Sequence, residues 1–540
     1  MPFERVLVAN RGEIALRVFR TCRELGVGTV AVFAPDDAGA LHVRAADAAI
    51  GIESYLRPDE HVRAAQESGA EAIHPGYGFL AESPRFAEAV EAAGLTWIGP
   101  PPEALRLGGD KLEAKRVARE AGVPVLPDGA PEELGFPLVV KAAAGGGGRG
   151  MRIVRSREEL AEALAAARRE AESAFGDGRL YCERYLERPR HVEVQLLADA
   201  HGTVVALGER DCSVQRRHQK VLEEAPAPRL GEEVRDRLLS SAVAFGRAIG
   251  YRNAGTVEFV VDGEEAYFLE LNGRIQVEHP VTEAVLGLDL VAAQLRIAAG
   301  EAVDAVASSH GDILGHAIEV RLYAEDPRTF LPQAGRIERL RLPKGVRVDA
   351  GVEEGDEVGL AYDPLIAKVV AHGSDREDAL GLLADALAET EVSGVTTNLP
   401  FLRWLVAHPV VRGGRATTAF LVEHPPLSSP PRPAPPPWDT PWRLNLPPPP
   451  PLPPPDVDAE AHRHGGPAAE SAVLSPMPGT VIRVEVAPGD AVVARAPLVV
   501  LEAMKMEIPV HAPFEGTVSA VHVAPGDQVA GGALLVELEA

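Results

Sequence analysis

The opening hundred residues alternate apolar runs with amphipathic stretches: RVLVAN at 5–10, a helical period over 12–25, TVAVF at 29–33, then EAIHPG ahead of another helical period. Such alternation predicts a parallel sheet with crossover helices. The turn Asn10-Arg11-Gly12-Glu13 holds one glycine and lacks GxGxxG spacing, so it reads as a strand-to-helix turn and not as a dinucleotide site. A second region runs from about 102 to 311. A third, from about 312 to 424, combines strands such as HAIEVRLYA with a helical period over 375–390.

Periodicity then stops. Between Pro425 and Pro455 stand 17 prolines. Proline tracts favour polyproline II at ~3.1 Å per residue, so this stretch reads as a semi-rigid linker spanning up to ~95 Å. The last 70 residues contain a repeat: PMPGTVIRVEVAPGDAV (476–492) matches PFEGTVSAVHVAPGDQV (513–529), an offset of 37 residues. Each half alternates apolar positions at period two and ends in Pro-Gly-Asp, which predicts a small flattened barrel with pseudo-twofold symmetry. EAMKMEIP joins the halves and sets Lys505 on or near the connecting hairpin.

Length and composition narrow the class. At 540 residues the chain exceeds one core and divides into several domains. It has no apolar run approaching the ~20 residues that cross a bilayer and no start resembling a secretory leader, and its three cysteines (Cys22, Cys182, Cys212) are too scattered for a disulfide framework. A cytoplasmic protein without membrane contact is expected. A formal net charge of -25 disfavours nucleic acid as a partner. Only seven of the 54 Lys and Arg residues are lysine, so each lysine merits separate scrutiny. An ammonium is compact and can be acylated, which a guanidinium resists.

Lys505 is one of the seven. A tight turn projects its side chain outward, and two of the chain's five methionines flank it, as in a recognition surface. Glu502-Ala503-Met504-Lys505-Met506 resembles the biotin attachment motif of biotinyl carrier domains. The equal halves leave no room for the protruding segment of the stand-alone bacterial acetyl-CoA carboxylase carrier. They look more like carriers of multidomain acyl-CoA and pyruvate carboxylases.

Upstream, PLVVKAAAGGGGRGM (137–151) places a strand before Lys141 and a glycine run, where glycine amides can approach phosphates closely. The spacing is not that of a Walker loop. With Lys111 in GDKLEAK it resembles the ATP-grasp fold of biotin carboxylases, which implies that Lys111, Lys141, Gly146, Gly147 and Gly148 hold the triphosphate. The strand-like run LYCERYLERPRHVEVQ (180–195) then supplies an adenine hinge at Glu183 to Leu186, with His191, Gln215 and His218 near the ribose and phosphates. Cys212 is expected to be a passive thiol, because the implied reaction needs no covalent enzyme intermediate.

Glu258 and Glu270 lie twelve residues apart in apolar strand-like runs, and with Asn272 they offer hard oxygen ligands for Mg2+, with Mn2+ able to substitute. The string Asn272-Gly273-Arg274-Ile275-Gln276-Val277-Glu278-His279-Pro280 closely resembles the biotin carboxylase signature. The resemblance implies that Lys220, Arg274, Gln276 and the Val277 backbone hold bicarbonate, that Glu278 removes its proton, and that Arg321 stabilises the anion formed at N1 of biotin. A carboxylate base beside retained cations suits a nucleophile as weak as bicarbonate.

The resemblance covers about 3–424 and 472–539. It implies an α/β and α+β multidomain chain: a Rossmann-like N-terminal domain (1–110), an ATP-grasp domain (111–311), a mixed C-terminal domain (312–424), a linker (425–470) and an all-β biotinyl hammerhead barrel (471–540). The implied reaction converts ATP, bicarbonate and biotinyl-Lys505 to ADP, phosphate and carboxybiotinyl-Lys505 through carboxyphosphate. The implied cofactors are covalent biotin, ATP and Mg2+. The implied partners are a separate carboxyltransferase (beta) subunit, through which alone acyl-CoA is met, a biotin protein ligase and further copies of the chain. The chain looks like the alpha subunit of an acetyl- or propionyl-CoA carboxylase. A pyruvate carboxylase subunit and a biotinylated scaffold without catalysis are the alternatives.

Overall fold

The computed structural model describes residues 3–143, 151–216, 219–307, 313–426, 472–475, 479–493, 496–503, 506–529 and 533–539. The N-terminal sheet is built from β1 (Arg5–Val8), β2 (Gly28–Phe33), β3 (Ala48–Gly51), β4 (Ala72–His74) and β5 (Thr96–Trp97). Its order is β3-β2-β1-β4-β5, and every pair is parallel. Val6, Leu7 and Val8 of β1 are buried because helices cover both faces of a parallel sheet. The helix Gly12–Glu24 turns Ile14, Ala15, Val18, Phe19 and Cys22 inward, as its helical period predicts. β3, whose AAIG is only half-buried or exposed, and β5, of two residues, do not stand out in the hydrophobic pattern.

Three strands, β6 (Leu138–Ala142), β7 (Arg152–Val154) and β8 (Leu180–Arg184), form a small sheet ordered β7-β6-β8. The next strands are β9 (Arg190–Ala198), β10 (Val204–Arg216), β11 (Gln219–Ala225), β12 (Asn253–Asp262) and β13 (Glu265–Asn272). The single strand-like run read at 180–195 is therefore two strands in different sheets, divided at Tyr185 to Pro189. Proline at 189 and its polar neighbours interrupt the ladder there.

The region beyond 313 supplies β14 (His316–Tyr323), β15 (Gly335–Arg336), β16 (Arg339–Arg341), β17 (Arg347–Ala350), β18 (Glu357–Val358), β19 (Leu365–Gly373) and β20 (Glu391–Ser393). β14, β17 and β19 do not make a sheet of their own. They extend an eight-stranded sheet ordered β13-β12-β9-β10-β11-β14-β19-β17, while β15 pairs β18 and β16 pairs β20. One hydrogen-bonded surface thus runs from the second region into the third. The helices Arg376–Glu389 and Leu399–Ala407 pack Leu380, Leu383, Phe401 and Leu405 against the strands of the third.

The C-terminal strands are β21 (Ala472–Leu474), β22 (Gly479–Val484), β23 (Ala491–Val492), β24 (Pro497–Ala503), β25 (Met506–His511), β26 (Gly516–Val521), β27 (Gln528–Val529) and β28 (Leu534–Glu539). They form two four-stranded sheets, β21-β28-β26-β23 and β25-β24-β22-β27, each with strands from both halves of the repeat. The register carries the symmetry. Val481 pairs Leu501 as Val518 pairs Leu538, both ladders shift one step later, and Gly489 N–H donates to Val518 O while Gly526 N–H donates to Val481 O, each at 2.7 Å. Ala503 pairs Met506, so Met504 and Lys505 alone connect β24 and β25; both lie outside the described residues.

Candidate active site

The long sheet presents one polar face, and strand alternation builds it. On β9, Val192, Val194 and Leu196 enter the core under the helix Glu232–Ala248, whereas His191, Glu193 and Gln195 point the other way. Register places Glu193 opposite Arg210 on β10 and Glu258 on β12, and Glu258 opposite Glu270 on β13. The separation of Glu258 and Glu270 by twelve residues is a hairpin pairing.

Lys220 on β11 ties this face to the signature loop. Its ammonium donates to Glu193 Oε2 at 2.5 Å, Glu258 Oε1 at 2.7 Å and Glu278 Oε1 at 2.7 Å. Glu278 stands at the N-cap of the helix His279–Leu286, and Arg321 Nη2 on β14 donates to its Oε2 at 3.1 Å. The same Nη2 is 2.6 Å from Glu223 Oε1. Glu258 also accepts from Asn272 Nδ2 at 2.8 Å and Gln276 Nε2 at 3.1 Å, and lies 2.9 Å from His191 Nε2. His191 Nδ1 in turn is 2.9 Å from Gln215 Nε2. Arg274 donates to Gln276 Oε1 at 2.8 Å and Asn272 Oδ1 at 3.0 Å, and its Nε is 3.3 Å from Glu82 Oε2.

Burial opposes every charge here, and pairing decides the outcome. Burial lowers the Lys220 pKa, but Glu193, Glu258 and Glu278 outweigh it and hold the group well above the usual lysine range. Burial raises Glu278, yet Lys220, Arg321 and Arg210 hold it below the usual carboxylate range. Glu258 is likewise lowered by Lys220 and His191 against burial, and His191 is raised by Glu258. Cys212 Sγ is 3.9 Å from Glu278 Oε1, and burial followed by the charge of Glu193 raises it well above the thiol range. Both burial and the raised pKa oppose thiolate formation there.

A second cluster lies on the small sheet. Asp110 caps the helix Lys111–Glu120 by accepting from the N–H groups of Leu112 and Glu113, and Lys111 N–H donates to Ala143 O at 2.9 Å. This brings Lys111 to the end of β6, just before the glycine run. Lys141 is 2.6 Å from Glu183 Oε2, Lys115 pairs with Glu183 Oε1, and Lys111 is 3.6 Å from Glu270 Oε2. Burial, then the neighbouring Lys115 and Lys111, lowers Lys141 to about 7 against the pull of Glu270; burial also lowers Lys115, to about 8, against the pull of Asp128. Leu186 is buried two residues past β8. Gly146, Gly147, Gly148, His218 and Lys505 lie outside the described residues.

Glu258 and Glu270 fit a divalent cation as a directly opposed pair of hard donors. Asn272 turns its nitrogen to Glu258 and its oxygen to Arg274, so it serves as a ligand only when Arg274 is drawn elsewhere. Two other groups of ligand atoms, His191-Glu193-Glu258 and Glu193-Cys212-Glu278, are compact enough to hold a metal. The ammonium of Lys220 is already bonded to the carboxylates of both.

Sequence reading missed Glu193, Glu223, Glu319, Lys115 and Lys368, all buried at these clusters. The signal for Glu193 was available in HVEVQL, where polar residues alternate with valine and leucine. The two lysines were already marked by their rarity.

A polar sheet face of this kind, opposite a small lysine-bearing sheet, defines an ATP-grasp ligase. Residues 110–306 match the carbamoyl-phosphate synthase L chain ATP-binding domain, 2–105 the biotin carboxylase N-terminal domain, 319–423 the biotin carboxylase C-terminal domain and 471–538 the biotin-requiring enzyme domain. A biotin carboxylase of Halalkalibacterium halodurans is 48% identical over 78% of this chain and 98% of its own length. The mitochondrial methylcrotonoyl-CoA carboxylase subunit alpha of Arabidopsis thaliana is 48% identical over 78% of this chain, which spans 60% of that protein. The propionyl-CoA carboxylase alpha chain of Ruegeria pomeroyi is 45% identical, with 78% and 68% covered. Among solved structures, the biotin carboxylase domain dimer of Hydrogenobacter thermophilus 2-oxoglutarate carboxylase, in complex with MgADP, ADP and bicarbonate, superposes with a TM-score of 0.76 at 45% identity, covering 78% of this chain and 98% of that one. The chain belongs to the biotin carboxylase family, and it carries its own biotinyl domain.

Proposed function

We propose that the Lys220 cluster activates bicarbonate and that Glu278 is its base. The observation that carries this reading is the placement of one carboxylate between two cations, Lys220 at 2.7 Å and Arg321 at 3.1 Å, at the rim of the Arg274–Gln276 loop. At rest these cations make Glu278 a weak base. An anion entering between Arg274 and Lys220 shares them, weakens their hold on Glu278 and lets it take the proton. Lys220, Arg274, Gln276 and the Val277 N–H then retain the added negative charge while a bicarbonate oxygen attacks the γ-phosphorus of ATP, forming carboxyphosphate and releasing ADP.

In the same reading Lys111, Lys141 and Gly146 to Gly148 hold the phosphates, and Glu183 to Leu186 line the base. His191, Gln215 and His218 bound the ribose side. Glu258, Glu270 and Asn272 would hold Mg2+, which supplies charge neutralisation at the phosphate oxygens. Biotin on Lys505 would supply the ureido nitrogen that accepts the carboxyl group as carboxyphosphate releases phosphate, and that phosphate would take the nitrogen's proton. Arg321 would stabilise negative charge at that nitrogen, and Glu223 holds the guanidinium in place.

The particular role is the alpha subunit of an acyl-CoA carboxylase of the acetyl-/propionyl-CoA type, working with a separate carboxyltransferase. Similarity to propionyl- and methylcrotonoyl-CoA carboxylase alpha chains supports an acyl-CoA acceptor. Among the described residues no helix is long and apolar enough to cross a membrane, and a cytoplasmic homo-oligomer, biotinylated by a biotin protein ligase, completes the reading. Co-purification from the native cell, followed by bicarbonate fixation with a panel of acyl-CoAs and pyruvate, tests the assignment. Fixation onto an acyl-CoA supports it. Fixation onto pyruvate alone contradicts it.

A further inference from the structure

Three of the seven lysines have no role in the reading above, and Lys368 stands apart in being 0% exposed. It lies on β19 directly opposite Arg321 on β14 and Asp349 on β17. Its ammonium donates to Val277 O at 3.0 Å and faces Glu13 Oε2 at 3.2 Å and Asp349 Oδ2 at 3.9 Å. Glu13 is itself held by the Tyr77 hydroxyl.

Two neighbouring cations on adjacent strands therefore grip two neighbouring parts of one loop. Arg321 takes the carboxylate of Glu278, and Lys368 takes the carbonyl of the peptide that joins Val277 to Glu278. A peptide is planar, so a fixed Val277 carbonyl also fixes the Glu278 N–H and Cα. His279 Nδ1, 2.7 Å from Gln276 O, secures the preceding peptide. Among the described residues only these two side chains hold the carbonyls of the segment from Gln276 to Glu278. The enclosure also requires a lysine: one carbonyl and two carboxylates surround a single buried donor, which a planar guanidinium fork does not match.

We propose that Lys368 is a positioning residue for bicarbonate activation, setting the Val277–Glu278 peptide so that the Glu278 carboxylate meets the anion. The proposal rests on the reading of Glu278 as the base.

Steady-state bicarbonate-dependent ATP hydrolysis by the full-length protein tests it with Lys368→Met, Lys368→Arg and Glu278→Gln. Lys368→Arg keeps the charge that balances Glu13 and Asp349, so it remains informative if Lys368→Met does not fold. The expected result is a KM for bicarbonate raised ~10- to 100-fold in Lys368→Arg with the KM for ATP changed less than ~3-fold, since misplacement by about 1 Å has effects of that size. An unchanged KM for bicarbonate, or parallel changes in both KM values, overturns the positioning role while Glu278→Gln remains inactive. An active Glu278→Gln instead overturns the base reading on which the proposal rests.

Discussion

Lys220 and Glu278 share a 2.7 Å hydrogen bond in the resting site, and the same ammonium also holds Glu193 and Glu258. One cation thus bridges three buried carboxylates from β9, β12 and the signature loop. Replacing Lys220 with methionine leaves those carboxylates facing one another with Arg210, Arg274, Arg321 and His191 as the cationic groups beside them. Removing one partner of a buried pair costs ~3–5 kcal/mol, so Lys220→Met is expected to lower the melting temperature clearly as well as abolish bicarbonate-dependent ATP hydrolysis. Calorimetry beside the ATPase assay checks both. An inactive variant with an unshifted melting temperature counts against the electrostatic account.

Glu223 and Glu319 face each other across β11 and β14, both fully buried, and neither Glu319 oxygen has a hydrogen-bond partner among the described residues. Burial first, then Glu223 and Glu278, pushes Glu319 well above the carboxylate range against the pull of Lys368 and Arg321. A carboxyl raised in the folded state stabilises fully below its unfolded pKa, and that contribution falls as pH rises toward the folded value. Glu319→Gln should match the parent near pH 4.5 and become relatively more stable at higher pH, by up to about 1.4 kcal/mol per pH unit. Melting curves at pH 5 and pH 8 check this; a difference that shrinks with pH refutes it.

All three cysteines are buried, and burial raises each thiol pKa, Cys22 to about 12. Native protein should therefore react slowly with a thiol reagent at pH 8 and reveal three thiols on unfolding. Cys212→Ala should keep activity within ~3-fold, since the thiol contributes a weak contact to Glu278 and no chemistry. Rapid labelling of Cys212 with loss of activity would contradict its passive role.

In the biotinyl domain Val481 and Val518 occupy equivalent buried positions, and each carbonyl accepts from the glycine of the other half. Truncating either to alanine should cost a similar ~1–3 kcal/mol, because each empties the same shape of core. Unfolding of the two variants compares them directly. A large difference would show that the two halves do not share the load.

The repeat was legible because its 37-residue offset recurs in the paired register, and the Glu258–Glu270 pairing because apolar flanks marked both strands. Sequence could not show that β14, β17 and β19 extend the earlier sheet, since edge pairing between distant segments leaves no local period. Nor could it show Lys368 on the Val277 carbonyl: a backbone acceptor has no residue type. Rarity marked that lysine, and only register gave it a partner.

The most direct test of the central claim is transfer of labelled bicarbonate to the protein's own carrier. Biotinylated protein incubated with ATP, Mg2+ and labelled bicarbonate should acquire acid-labile label that disappears in Lys505→Arg and in Glu278→Gln. Label that persists in Glu278→Gln, or its absence from the biotinylated parent, would contradict the account.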